Sequence, residues 1–549
     1  MSEIIKSENE TGITINFDFR NREDPIKDLY STINQWDYSL NWTDAATMQP
    51  DNYFKINYPF VKRVEFMIAT GGSESRDLFI DPHDRSTLYD YKFDSLIAAC
   101  ETALRQGLKP NIKTGSVPLK FSSEPFISEQ FGVNSRPPDD DKYDAYYDFI
   151  KAVADALIEH FGIDEVRKWS WCVLTEYENK DWFMCAGDTT GKATEQAFYK
   201  LYDFSAAALQ DSIGKEHLII GAHSMLCLEG HFDPRGFIEH CASGINHKTG
   251  EVGSQVNYWA FSIYDLGPGN YNFGRKMTLT EALNFLRDKA EEVGFNDLKY
   301  GIDEGYLLFG ADGKLLNASH VTAQSYQGAY TARHYKEAIL AGLDWYSLWA
   351  FNTDSIWGVG NVSADSVGTF TVMLGSKMAG DQYVPPLSVT GKQRSEKNLV
   401  DGFAGYDNKT ETAHIMAFNY NPDEFSSVCE SLTIEIDNIN TVDGDSVIIK
   451  RWYVDDRVNW LSRWMQDQEE HGIKDDDWFH SKYCVDIIHS IFNDHAIKVW
   501  YDHVEDYIEI ATLKCEETVE SVINNKLILK AELDHHAVVF YEITNIKVS

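Results

Sequence analysis

Residues 167–183 read Arg-Lys-Trp-Ser-Trp-Cys-Val-Leu-Thr-Glu-Tyr-Glu-Asn-Lys-Asp-Trp-Phe, and this stretch constrains the chain most. Trp169, Trp171 and Val173 alternate with Ser170, Cys172 and Leu174 in a mostly apolar run, the pattern of a parallel strand buried on both faces. The run stops abruptly at Thr175, Glu176, Tyr177, Glu178 and Asn179. A carboxylate at the C-terminal end of a buried strand is costly unless it is solvated, paired or used. In a (β/α)8 barrel that end of the strand is where active sites lie. Alone, Glu176 reads equally well as a surface acid that ends a strand. A second strand with the same ending tips the balance.

Strand and helix patterns alternate over some 350 residues, which implies parallel pairing. Strands are expected at 61–68, 109–113, 169–174, 218–221, 256–264, 299–303 and 344–351, with a first strand inside 25–45. Amphipathic helices separate them: one carries Phe93, Leu96, Ile97, Cys100, Leu104 and Leu108 on one face, and another carries Tyr147, Ile150, Ala154, Leu157 and Phe161. On this count Glu176 follows the fourth strand and Glu304 the seventh.

After Pro385 and Pro386 the pattern changes to strands without intervening helices, at 412–418, 432–436, 446–454, 508–512, 527–533 and 537–543, interrupted by a mixed segment near 457–500. Residues 11–19 alternate as a strand with one wet face, unlike a barrel strand. The expected fold class is therefore α/β: a (β/α)8 TIM barrel with an all-β sandwich accessory domain formed by the C-terminal region plus the N-terminal strand. The expected division is 1–24 joining the accessory domain, 25–384 as the catalytic barrel and 385–549 as the sandwich. A chain of 549 residues suits one barrel and one such domain.

The formal charge of -37 disfavours nucleic acid and anionic membrane as partners. No stretch approaches the ~18 apolar residues of a membrane span, and the first ten residues hold no apolar leader. The eight cysteines are scattered without a Cys-x-x-Cys pair and read as reduced thiols, which points to a cytoplasmic protein. Homo-oligomerisation is left open.

Two glutamates at the C-terminal ends of strands four and seven point into one bowl. Glycoside hydrolysis needs such a pair, one protonated for the leaving oxygen and one ionised for the anomeric carbon. Close like charges split their pKa values, so both roles coexist near neutral pH. Glu178 competes with Glu176, and Asp303 with Glu304; strand alternation turns Asp303 the other way. The triplets at 139–141 and 475–477 lack calcium-loop spacing, His83, His223, His231, His240 and His247 form no metal-binding pair, and Gly71-Gly72 and the Gly267-Pro-Gly269 turn lack phosphate-loop context. These histidines are expected to be structural or rim residues, and neither metal nor cofactor is expected.

The chain resembles glycoside hydrolase family 39, the β-xylosidases, α-L-iduronidases and related retaining (β/α)8 enzymes. Tyr91 to Asp94 with Gly107 to Pro110 is similar to the family's Tyr-x-Phe-x-x-Asp helix and Gly-x-x-Pro. Trp169 to Trp182 is similar to its acid/base segment, Gly301 to Glu304 to its nucleophile strand, Trp345 to Asp354 to its eighth strand, and Val454 to Asn459 with Trp464 to a signature in the accessory domain. The resemblance implies that Glu176 is the acid/base, that Glu304 is the nucleophile, and that Tyr264 and Trp349 line the first sugar subsite. The family's Asn before the acid/base is Thr175 here, its following Pro is Tyr177, and its second-strand Arg-x-His is Glu65 to Met67.

These readings lead to a retaining exo-glycosidase acting by double displacement on a pentose-type (xylosyl or arabinosyl) or side-chain sugar, with an altered acid/base motif. The rival is a non-catalytic carbohydrate-binding barrel. Thr175, Asn179, Trp182, Tyr264, Trp349 and Glu65 are the expected substrate-binding residues. The Thr175 hydroxyl or the Asn179 amide is expected to replace the lost Asn, Tyr264 to hold Glu304, and Trp182 or Tyr177 to lie against Glu176.

Overall fold

The computed structural model describes residues 12–37, 50–265, 275–307, 325–348, 367–423, 425–440, 446–474 and 494–548. Eight parallel strands close a barrel: β2 (Thr32–Asp37), β3 (Arg63–Ile68), β4 (Lys109–Lys113), β5 (Ser170–Val173), β6 (Ile220–Ser224), β7 (Tyr258–Asp265), β8 (Lys299–Leu307) and β9 (Trp345–Leu348), with Ile33 of β2 meeting Leu348 of β9. The first barrel strand thus falls within 25–45, and β5 and β8 are strands four and seven of the ring. Helices lie between strands because their apolar residues recur at helical spacing. In the helix Tyr143–Phe161, the buried residues Tyr146, Phe149, Ile150, Val153, Ala154 and Leu157 form one stripe. The helix Leu279–Glu292 starts on a capping box made by Thr278 and Glu281.

Two strands differ from their expected bounds. β6 runs from Ile220 to Ser224 rather than over 218–221, because polar His223 and Ser224 find buried partners in Ser262 and Glu178 and so continue the strand. β8 continues past Asp303 to Leu307 across a bulge, so Glu304 lies inside the strand rather than after it.

The barrel floor is aromatic. Tyr258 and Trp345 pack edge to face at 5.4 Å, beside Cys172 and Ala260. Gly301 makes room for them: a Cβ there would lie 1.9 Å from Trp345 Cε2. Trp345 Nε1 in turn donates to Asp303 Oδ1 at 2.8 Å, so the floor anchors a carboxylate just below the bowl.

The accessory domain is a two-sheet sandwich. β1 (Gly12–Asp18) lies between β11 (Pro386–Lys392), to which it is antiparallel, and β14 (Glu430–Asp437), to which it is parallel; β17 (Leu527–Leu533) completes that sheet. The N-terminal strand therefore joins the C-terminal strands, as its one-sided alternation requires. The second sheet has the order β10 (Gln382–Val384), β12 (Leu399–Asp407), β13 (Thr412–Tyr420), β18 (Val538–Thr544), β15 (Ser446–Val454) and β16 (Glu516–Ser521). Its residues alternate between two cores. Ile415, Ala417, Val539 and Tyr541 face the sandwich core, whereas Met416, Phe418, Val538 and Phe540 face the barrel. This explains why β13 is buried along its whole length.

The strand expected at 508–512 is instead the end of the helix Asp494–Ile510. Val499, Trp500, Val504 and Tyr507 repeat at helical spacing, and Trp500 and Tyr507 pack on Trp460 and Trp464 beside the helix Leu461–His471. Tertiary contact with distant tryptophans decides the helix over the local β-branched bias. Cys484, the triplet at 475–477 and Gly267 to Gly269 lie outside the described residues, in which no helix is long and apolar enough to cross a membrane.

Gly301→Ala should overpack the barrel floor and lower stability by about 1–3 kcal/mol. A fall in the urea midpoint with an unchanged slope would show this. An unchanged midpoint would mean that Trp345 has room to move.

Candidate active site

The turn after β5 is held in an unusual backbone conformation. Leu174 and Glu176 both have positive φ, 68° and 45°, a region that non-glycine residues enter at a cost and that clusters at functional sites. Neighbouring strands hold the turn there. Thr175 Oγ1 donates to the Met67 carbonyl of β3 at 2.9 Å, and Tyr177 N donates to the His223 carbonyl of β6 at 3.0 Å. Gly115 lets the chain pass close by, since a Cβ there would lie 2.5 Å from Leu174 Cα. The result aims Glu176 across the mouth of the barrel.

The bulge in β8 supplies the opposing carboxylate. Phe261 pairs with Ile302, but Ser262 pairs with Glu304, so Asp303 is the extra residue. Strand alternation alone would send Asp303 and Glu304 to opposite faces. The bulge turns both inward, which corrects the expectation that Asp303 faces away. Asp303 lies deeper, against Trp345 Nε1 and Lys113 Nζ (3.1 Å); Glu304 lies above it in the bowl.

Oxygens of Glu176 and Glu304 come within 4.8 Å of each other and of a ring nitrogen of His223. Glu304 Oε1 accepts from Tyr264 Oη at 2.5 Å, the hydrogen bond expected from sequence. Glu176 Oε1 accepts from Ser262 Oγ at 2.7 Å and Oε2 from Asn179 Nδ2 at 2.9 Å. Burial raises both carboxyls above the ordinary range. For Glu176 the Glu304 charge adds to burial, whereas for Glu304 the Tyr264 hydroxyl and the Lys113 charge oppose it. Glu176 is therefore the readier of the two to hold a proton.

Beneath the bowl, Lys113 Nζ lies 3.1 Å from Asp303, 3.7 Å from Glu65 and 2.9 Å from His223 Nδ1, all fully buried. Burial alone would pull the ammonium down, but Asp303 and Glu65 hold it above the usual lysine range. Burial and the Asp303 charge push Glu65 well above the usual carboxyl range.

Several expected substrate contacts are corrected by these placements. Thr175 is 1% exposed with its hydroxyl committed to β3, so it braces the turn. Trp182 is 2% exposed and stacks on Phe131 at 4.4 Å, as part of the core. Tyr177 stacks on Phe198 away from Glu176. Glu65 belongs to the charged layer under the bowl. Glu178 turns away from Glu304 to accept from Ser224 Oγ and Leu226 N. Asn179 and Tyr264 do reach the carboxylate pair, and Trp349 lies outside the described residues. Sequence reading missed Lys113 and Ser262 and took His223 as structural or rim. Ser262 was findable, since it lies two residues before Tyr264 on one strand and so shares its face. A further acid–histidine group, Asp203 with His240 and His247, lies on the outside of the barrel, where Asp203 accepts from His240 Nε2, Ser254 Oγ and His247 N.

Residues 77–292 match the sequence model of glycosyl hydrolases family 39. The chain is family 39-like. It is 28% identical over 131 residues to a β-xylosidase of Geobacillus stearothermophilus, and this match spans about a quarter of each protein (24% of both). Among solved structures, a monomeric β-xylosidase of Caulobacter crescentus aligns over 97% of this chain and 99% of its own at 14% identity, with a TM-score of 0.64. A family 39 enzyme of Xanthomonas axonopodis pv. citri aligns over 99% and 100% at 11% identity, with a TM-score of 0.63. At these identities the structural likeness speaks for the fold, a barrel with a β-sandwich appended.

Tyr264→Phe removes a donor from the Glu304 carboxylate and so favours its protonated form. Its titration, followed by carboxyl-carbon NMR, should move upward by roughly one unit. No movement would show that the hydroxyl does not stabilise the ionised form.

Proposed function

We propose that this chain is a retaining glycoside hydrolase with Glu304 as nucleophile and Glu176 as acid/base. The observation that carries the reading is the pair of buried carboxylates on strands four and seven, with oxygens within 4.8 Å. Retaining enzymes keep their carboxyls about 5–5.5 Å apart, and inverting ones about 6.5–9.5 Å apart to admit a water. Such close approach favours the retaining spacing over the inverting one.

The roles follow from the surroundings. Glu304, supported by Tyr264 and the field of Lys113, is ionised first and attacks the anomeric carbon. Glu176 gives its proton to the departing glycosidic oxygen. The resulting carboxylate then takes a proton from water, which attacks the same carbon and releases Glu304. Asn179 orients Glu176 from the loop side. The reaction needs no cofactor.

The substrate proposed is a pentose-type (xylosyl or arabinosyl) or side-chain sugar at the non-reducing end of an oligo- or polysaccharide, in line with the β-xylosidases to which the chain is similar. Thr175 supports the reading of an altered acid/base motif. With its hydroxyl committed to Met67, the sugar 2-hydroxyl must find its partner elsewhere in the bowl. The catalytic unit proposed spans 25–384, with 1–24 and 385–549 forming the accessory domain.

A panel of aryl glycosides tests the reading. Glu304→Ala should abolish turnover of every substrate. Glu176→Ala should slow poor leaving groups by several orders of magnitude more than dinitrophenyl ones, and azide should restore its rate by attacking the glycosyl-enzyme. Wild-type rates in both variants would refute the assignment, and sugar binding without turnover in the wild type would point to a binding protein.

The pH dependence should be bell-shaped. Activity requires Glu304 ionised and Glu176 protonated, so kcat/KM should rise as pH passes about 7 and fall past about 8. An optimum below pH 5 would mean that burial does not raise this pair as described.

A further inference from the structure

His223 is held by a neighbour that fixes its tautomer. Lys113 Nζ lies 2.9 Å from His223 Nδ1. An ammonium has donors only, so Nδ1 must accept, and the single hydrogen of a neutral imidazole must sit on Nε2. Nε2 lies 2.8 Å from Ser262 Oγ and donates to it. The serine hydrogen is then directed to Glu176 Oε1, 2.7 Å away. Lys113, His223 and Ser262 are all fully buried. Three hydrogen bonds, leading from β4 through β6 and β7 to the turn after β5, thus point one way and end on a carboxylate, each polarising the next.

The direction of the chain limits what it can do. Delivering a proton to Glu176 would require Lys113 to give one up, and Asp303 and Glu65 oppose that. Taking up a proton at His223 would require Nδ1, which Lys113 occupies; burial and this charge both push the imidazole well below its ordinary pKa. The chain therefore stabilises negative charge on Glu176 and fixes the orientation of its carboxylate. Glu304 of β8 and Glu178 of the same turn oppose that charge, Asn179 supports it, and Cys227 and Tyr264 are further titratable groups beside it among the described residues.

We propose that His223 is a positioning residue which, locked by Lys113 and acting through Ser262, keeps Glu176 ionised and aimed for the general-base half of the reaction. The proposal rests on the roles given under Proposed function. Once Glu304 is esterified, Glu176 must act as a carboxylate in a buried site. Donors that favour its charged form matter most in that step.

The test compares His223→Phe, His223→Gln and Ser262→Ala with wild type. Glutamine can accept from Lys113 and donate to Ser262, whereas phenylalanine can do neither. With a dinitrophenyl xyloside, whose turnover is limited by hydrolysis of the glycosyl-enzyme, His223→Phe should lower kcat about tenfold while the initial burst slows far less. Its Glu176 carboxyl, titrated by carbon NMR without substrate, should move up by roughly one unit, and His223→Gln should restore both readouts. Equal impairment in Phe and Gln, or an unmoved titration in Phe, overturns the proposal. If His223→Phe does not fold, Ser262→Ala decides: it removes only the last link, and an unmoved Glu176 titration in that variant refutes the chain. If wild type hydrolyses no glycoside, the enzymatic reading fails on its own, while the titration still reports on the chain.

Discussion

The ammonium of Lys113 makes the interior of this barrel tenable. Four carboxyl groups, Glu65, Glu176, Asp303 and Glu304, enter the upper barrel, all of them buried. Isolated buried charges of one sign repel and are poorly solvated, at a cost of several kcal/mol each after relaxation. Lys113 pairs closely with Asp303, opposes the rise of Glu304, and through His223 and Ser262 reaches Glu176. Glu65 and Glu176 are the ones that burial and neighbouring carboxylates push toward the protonated form. One fixed cation thus lowers Glu304 relative to Glu176, the kind of separation that acid–base chemistry at neutral pH requires.

Geometry does the rest of the sorting. On an unbroken strand Asp303 and Glu304 would alternate, and one of them would face the helices. The bulge spends one residue of register to bring both into the interior, with the aromatic floor holding the lower one. Across the mouth, the turn after β5 keeps two residues at positive φ because β3 and β6 hold its backbone and Thr175. Backbone strain on one side and a register shift on the other produce the close approach of Glu176 and Glu304.

Much of this was legible in sequence where the signal was local. A buried strand ending in a carboxylate is visible in residues 167–183 and again near residue 304, and strand counting placed both on one rim. Clean alternation in residues 11–19 separated that strand from the barrel. What could not be read depends on neighbours distant in the chain. The bulge exists only relative to β7. His223 looked structural because its partner Lys113 lies 110 residues earlier. Thr175 invited a ligand contact because nothing local reveals the Met67 carbonyl. The helix Asp494–Ile510 was hidden behind a short β-branched run whose conformation is decided by Trp460 and Trp464.

The sheet between barrel and sandwich has a wider consequence. Because Met416, Phe418, Val538 and Phe540 face one core and their sequence neighbours face the other, the central strands β13 and β18 of this sheet are buried on both sides. Cut free, either half would present a broad apolar surface, so the two cannot be traded between proteins as interchangeable modules. Recombination at the proline pair where β11 opens would yield two sticky fragments, and heredity is constrained to pass the barrel and its companion on together.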